Sequence, residues 1–306
     1  MWRRTEELTM QSYIERFLAD LKNRKRYADN TIAAYRNDLH QFMDYVTQSQ
    51  ISDWSSMNKQ DLVGFQLYLR GAHKEYAAST LARKLACVRS FCHYLASSGL
   101  LAQDPAEGLD SPHVERPTPR TLTSDEVSQL LQLPGTSQSS KGRRDRAILE
   151  LLYATGMRVS ELTALDVSDV NLSTGTVRCG GRTSQRTLSL GYNATQALRD
   201  YLEQARAQMI NSPEQKALFV NHRGERLSRQ GLWLVIKGYV KHLGLDESIT
   251  PHTLRHSAAA HRLSGGANLA EVQRLLGHAS PTSTQVYARL ARAAKAEDSD
   301  PTYAAH

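Results

Sequence analysis

The chain has 306 residues, and at roughly 150 residues per domain that length suggests two domains. Hydrophobic residues at 40% and charged residues at 23% exclude intrinsic disorder, and 28 arginines among 38 basic residues, set against 31 acidic ones, favour phosphate-bearing partners. No stretch approaches about 18 uncharged apolar residues and Cys87, Cys92 and Cys179 lack metal-ligand spacing, so membrane spans, secretion, a disulfide framework and a zinc site are not expected, and a cytoplasmic location is.

In chain order, residues 9–23 place Tyr13, Ile14, Phe17, Leu18 and Leu21 at spacings of three and four, which predicts an amphipathic helix. Asn30 is the expected cap of a second helix running through residue 45. Helices follow at 59–70 and 79–97, with Cys87 and Cys92 packed in the last. Short connections make this an antiparallel bundle of four or five helices. The segment 76–85 either lays Arg83 and Lys84 on a phosphate backbone or presents a solvated helix face.

Pro105, Pro112, Pro117 and Pro119 fall within residues 104–120, and proline removes backbone donors and disfavours helix before it, so an extended connector is expected there. The predicted boundary divides a helical domain, 1–112, from a second domain, 113–306. The first carries 14 basic and 13 acidic groups and the second 24 and 18, so most of the net positive charge lies in the second.

The second domain opens with a capping pattern, Thr123 to Glu126, before a helix to residue 133. A helix over about 143–155 stops at Gly156, and a short one covers 158–165. Alternating segments at 175–179 and 186–190 predict a β-hairpin with a glycine-containing tip, and 218–220 is a further extended piece. The rest reads as helix, so the fold class is mainly α with a small β-sheet.

Three islands carry chemistry. In Thr155-Gly156-Met157-Arg158-Val159-Ser160-Glu161-Leu162, Glu161 either orients the Arg158 guanidinium toward an anion or forms a plain surface ion pair. In His252-Thr253-Leu254-Arg255-His256, Thr250 caps and Pro251 starts a helix, whose N-terminus with His252 and Arg255 suits a phosphate, while His256 is expected to pack inward. A metal reading of the paired histidines is weaker, because Arg255 stands where the cation would sit. In the third island Gly277 ends a helix, His278 follows it, and Tyr287 lies nine residues beyond His278. Two arginines, two histidines and a tyrosine suit phosphoryl transfer with tyrosine as nucleophile.

The order TGMRVSEL, HTLRH, LGH and then Tyr287 resembles the tyrosine recombinase, or phage integrase, family, in particular bacterial Xer-type recombinases. The resemblance spans nearly the whole chain and implies an N-terminal SAM-like core-binding domain joined to an α+β catalytic domain. It implies that Tyr287 attacks a DNA phosphate to form a 3′-phosphotyrosine, with Arg158 and Arg255 clamping the phosphate, His252 and His278 moving protons and Glu161 supporting them. It implies no cofactor and no metal. The expected partner is double-stranded DNA bearing a specific site, bound by a homotetramer or together with a homologous recombinase. Chromosome dimer resolution, integration and plasmid resolution all use this chemistry. A segment at 291–296 is expected to dock on a neighbouring subunit.

The family carries a lysine in the hairpin turn that protonates the leaving 5′-oxygen, and alignment on Arg186 puts Gly181 there. Adjacent Arg182 is the substitute candidate, although a guanidinium is a poor proton donor near neutral pH. Losing such help costs roughly 10²–10⁴ in rate. The leading expectation is an active recombinase. The alternative is an architectural DNA-binding relative with impaired catalysis.

Overall fold

The computed structural model describes residues 9–71, 76–109, 120–180, 185–277 and Tyr287. The chain divides into two compact units, Met1–Arg116 and Pro117–His306. The boundary expected near residue 112 lies outside the described residues.

The first unit contains α1 (Met10–Asn23), α2 (Asp29–Gln48), α3 (Lys59–Gly71) and α4 (Ala78–Ser97). The Thr9 hydroxyl caps α1 by accepting from Ser12 N, and Ile14, Phe17, Leu18 and Leu21 turn inward at the spacing read from the sequence. Helix α2 begins before the expected Asn30 cap. Extended backbone at Ala28 opens it, and Asp29 puts its charge at the positive helix end. Phe42 stacks on Trp54, whose indole donates to Met10 O at 2.9 Å, tying α1 to α2. Cys87 and Cys92 are fully buried in α4.

Two expectations for this unit are corrected in part: residues 77–79 and Arg83 present the solvated face read for 76–85, and Lys84 does not. Lys84 is 8% exposed, and its Nζ donates to Asp38 at 2.9 Å and Gln41 at 2.7 Å, while Arg83 takes the other Asp38 oxygen. A buried carboxylate requires compensation, so Lys84 faces neither phosphate nor bulk water. The proline-rich segment also begins as a turn rather than an extended run. Asp104 Oδ1 accepts from Ala106 N at 2.9 Å, and Ala106 packs into the unit's core.

The second unit runs through α5 (Ser124–Gln132), α6 (Ser140–Thr155) and α7 (Val159–Ala164), then strands β1 (Val170–Asn171), β2 (Thr176–Cys179) and β3 (Arg186–Ser189). Helices α8 (Gly191–Gln204), α9 (Arg206–Met209), α10 (Arg229–His242), α11 (Pro251–Ser264) and α12 (Leu269–Leu276) complete the described part. Thr123 and Glu126 form the expected capping box of α5. Helix α6 is buried on every side between its neighbours and starts at Ser140, because the Ser139 hydroxyl accepts from Gly142 N at 3.0 Å. The sheet is antiparallel in the order β1-β2-β3, with Val177 opposite Leu188 and Cys179 opposite Arg186. Two-residue β1 was not foreseen, being too short for any periodic signal. The piece at 218–220 makes only an isolated bridge, Val220 to Arg226. No described helix is long and apolar enough to cross a membrane.

Candidate active site

Gly156 ends α6 in the left-handed region at φ +56°, which reverses the chain and aims its carbonyl inward. Arg158 then occupies the N-cap position of α7, its backbone N donating to Glu161 Oε2 at 2.7 Å. The expected Arg158–Glu161 side-chain contact is present at 3.4 Å. The stronger partner of Glu161 is Arg186 on β3, which reaches both carboxylate oxygens at 2.7 and 3.1 Å. Burial pulls the Glu161 carboxyl upward, yet the hydrogen bonds from Arg186 and from Arg158 N outweigh it and hold the group below its usual range. Arg186 was not singled out as a site residue. Its signal was periodic: along β3 it shares the inward face with Leu188, and a cation on an apolar face requires a partner.

The three arginines converge on one helix end. Arg186 Nε donates to Leu275 O at 3.2 Å, Arg255 Nη2 to Leu276 O at 2.7 Å, and Arg158 Nη2 to Gly277 O at 3.1 Å. The last carbonyls of a helix lack intrahelical donors and carry partial negative charge, so guanidiniums satisfy them twice over. Arg255 also donates to the Gly156 carbonyl. Burial, with the Arg158 charge beside it, lowers Arg255 to about 10, and it stays protonated at neutral pH. The Arg255 residue is 5% exposed, whereas the Arg158 side chain is 43% exposed, so Arg158 presents the accessible face of the pair.

Helix α11 starts as expected, with Thr250 as cap and Pro251 at its first position. His252 is exposed on that first turn, and Arg255 is buried one turn on. His256 turns inward as expected and is half-buried; its Nδ1 lies 2.7 Å from the Tyr287 hydroxyl, with ring centroids 5.3 Å apart. Helix periodicity placed it beside Arg255, but only the return of the chain beyond α12 supplies the phenol. Tyr287 is 3% exposed against Ala259, Ala260, Val272 and Leu276. Burial raises its phenol pKa, with Arg255 and Arg158 pulling the other way. Burial, then the neighbouring His252 and Arg255, push His256 down to about 4.

Arg158, Glu161, Arg255 and Tyr287 are thus brought together, with His252 on the helix that carries Arg255. Gly181, Arg182, His278 and residues 291–296 lie outside the described residues. Residues 120–294 match the phage integrase family model and residues 14–99 the N-terminal SAM-like domain of phage integrases. Tyrosine recombinase XerC of Herpetosiphon aurantiacus is 48% identical over 279 residues, covering 91% of this chain and 90% of that protein. Tyrosine recombinase XerD of Listeria innocua is 40% identical over 287 residues, covering 92% and 95%. Among solved structures, a lambda integrase tetramer bound to a Holliday junction superposes with a TM-score of 0.69 at 17% identity, covering 92% of this chain and 78% of that one. XerH recombinase in a post-cleavage complex with a palindromic difH substrate gives 0.70 at 20% identity, covering 93% and 82%. These likenesses establish the fold, and identity at 40–48% along nine-tenths of the sequence adds the family. The chain belongs to the phage integrase family as a Xer-type tyrosine recombinase, an enzyme that cuts and rejoins DNA.

Proposed function

We propose that the chain is a site-specific DNA recombinase that exchanges strands through a 3′-phosphotyrosine on Tyr287. The observation that carries this reading is a buried tyrosine hydroxyl within electrostatic reach of two guanidiniums, the buried Arg255 and the more accessible Arg158. Their charges neutralise the non-bridging oxygens of the scissile phosphate and the charge that grows on them as the phenol attacks. His252, on the first turn of α11, adds a donor at a helix N-terminus, and His278, the residue after Gly277 in the sequence, assists with hydrogen bonding and proton transfer. Exchanging one phosphodiester for a phosphotyrosine conserves bond energy, so the reaction runs without ATP and the arginines supply the charge otherwise provided by a metal.

Protonation of the leaving 5′-oxygen falls to Arg182, to water or to a group from a neighbouring subunit, since Gly181 stands where the family carries lysine. The alternative of an impaired architectural protein is not favoured, because relatives at 40–48% identity are named as recombinases. The solved relatives include a tetramer on a Holliday junction, which supports assembly of four chains on paired double-stranded sites, as copies of this chain or with a homologous recombinase; the location proposed for it is the cytoplasm. In that assembly residues 1–112 form the core-binding domain and 113–306 the catalytic domain.

The test is covalent capture. Sheared DNA of the encoding genome is incubated with the protein, denatured, and the protein-linked fragments sequenced. A common site, linked by the native chain and not by Tyr287→Phe, is expected. Failure to link any fragment, or linkage that survives Tyr287→Phe, refutes the assignment.

A further inference from the structure

We propose that His256 is a catalytic residue, the acceptor of the Tyr287 proton as the phenol attacks the DNA phosphate. This rests on the recombinase reading above and adds a base to it.

Three observations carry it. The first is contact: His256 Nδ1 stands 2.7 Å from the atom that must become the nucleophile. General-base transfer requires a heavy-atom separation of about 2.6–3.2 Å. The second is direction. The two histidines of the HTLRH segment sit on one helix, yet His252 is solvent-exposed on the first turn, while His256 is half-buried against the phenol ring. They therefore have separate tasks, with His252 on the phosphate side and His256 on the nucleophile side. The third is fixation. Neighbouring Arg255 is tied to the carbonyls of Gly156 and Leu276, and Ser257, next along α11, accepts from Leu122 N at 2.8 Å. The imidazole is therefore mounted on a turn of helix that cannot drift.

The charged and titratable groups around the pair are His252 and Arg255 on α11, Arg158 at the start of α7, and Glu161, which reaches it through Arg255. Burial and the neighbouring positive charge keep His256 neutral, and in the tautomer that carries its proton on Nε2 the ring accepts from the Tyr287 hydroxyl through Nδ1. A buried phenol, by contrast, holds its proton at neutral pH and needs an acceptor before it can attack. The same arginines that repel an imidazolium stabilise the phosphate that arrives beside it.

The step balances. The Tyr287 Oη–P bond forms as the P–O5′ bond breaks, the Oη proton passes to His256 Nδ1, and the departing 5′-oxygen takes a proton from water. In rejoining, the incoming 5′-hydroxyl gives its proton back to water as the P–O5′ bond forms, the Oη–P bond breaks, and the imidazolium returns its proton to the departing phenolate. General-base help of this kind is worth roughly 10²–10⁴ in rate.

The experiment follows single-turnover adduct formation on a nicked duplex built on the captured site, and on the same duplex with sulfur replacing the bridging 5′-oxygen. A thiolate departs without being protonated, so sulfur relieves defects on the leaving-group side only. His256→Gln, which keeps a polar partner for the phenol but accepts no proton, and His256→Ala are compared with the native chain and Tyr287→Phe. Both His256 variants are expected to lose about 10²–10⁴ in rate on both substrates. Native rate in His256→Gln, or full rescue by sulfur, overturns the assignment. An adduct that requires Tyr287 and is indifferent to His256 refutes this inference alone, whereas one that survives Tyr287→Phe refutes the recombinase reading itself.

Discussion

Replacing Arg186 tests whether the site depends on an ion pair made across the hairpin. Arg186→Ala removes both hydrogen bonds to Glu161 and the one to Leu275 O. The side chains of Arg186 and Glu161 are 16% and 12% exposed, so solvent compensates little for the loss. Breaking a fully buried pair costs about 3–5 kcal/mol. Here Arg158 remains 3.4 Å from the carboxylate, which reduces the loss to about 2 kcal/mol, and the orphaned Leu275 carbonyl adds about 1 kcal/mol. At about 2–4 °C per kcal/mol for a unit of this size, the second unit should melt roughly 6–12 °C lower. Activity should fall as well, because Glu161 positions Arg158 and the end of α12 precedes His278. A displacement of about 1 Å at such a site costs on the order of 10²-fold in rate. Calorimetry and adduct formation at saturating DNA measure the two effects. Arg186→Lys, with one point charge, should fall between. A transition within about 1 °C of native together with native cleavage would refute the reasoning, as would strict additivity of Arg186→Ala and Glu161→Gln.

Gly277→Ala forces a side chain into the left-handed region at φ +62°, with its Cβ 2.7 Å from Arg186 Nη1, and should cost about 1–2 kcal/mol while slowing cleavage more than Gly266→Ala does, where φ is also positive and the space is open. The folded value of His256, about 4, lies below the unfolded value of about 6.5. Its neutral ring therefore stabilises the fold above about pH 6.5, and that contribution is lost as pH falls toward 4, so urea midpoints between those limits should decline less steeply in His256→Gln; equal slopes would count against a neutral buried imidazole. Lys84→Met strands Asp38 with Arg83 alone and should destabilise the first unit by about 2–3 kcal/mol, leaving the salt dependence of DNA binding unchanged. A shallower salt slope in that variant would return Lys84 to the DNA backbone.

What was legible in the sequence was local. Thr123 and Thr250 cap the helices expected of them, and Gly156 and Gly277 end theirs, because each device acts within a few residues. Arg158, Arg255 and Tyr287 were found by motif, and the fold gathers them. The misses were contacts between distant segments. Glu161 meets Arg186 across 25 residues of hairpin, and Lys84 meets Asp38 across 46 residues of bundle. Charge alone made Lys84 a phosphate candidate, and helix periodicity turned His256 inward without revealing the Tyr287 hydroxyl it meets. Only tertiary contact separates a cation that neutralises a buried carboxylate from one that awaits a ligand.

The arginine excess takes its meaning from this distinction. Arg186, Arg255 and Arg158 occupy the carbonyls of Leu275, Leu276 and Gly277 in succession, one guanidinium to each, although they come from a strand, a helix interior and a helix cap. Glu161 compensates part of their combined charge, and its bidentate partner is Arg186, so the positive charge left over resides on Arg158 and Arg255. Burial makes that surplus costly without an anion, as the lowered pKa of Arg255 records. In the proposed reaction a phosphate beside Tyr287 would therefore meet donors whose orientation has already been set by backbone carbonyls, and the reorganisation that water would require in solution would have been done in folding. In that reaction Arg158, its side chain 43% exposed, holds the Gly277 carbonyl with one amino group and keeps further donors for DNA, which a single ammonium could not do in one plane.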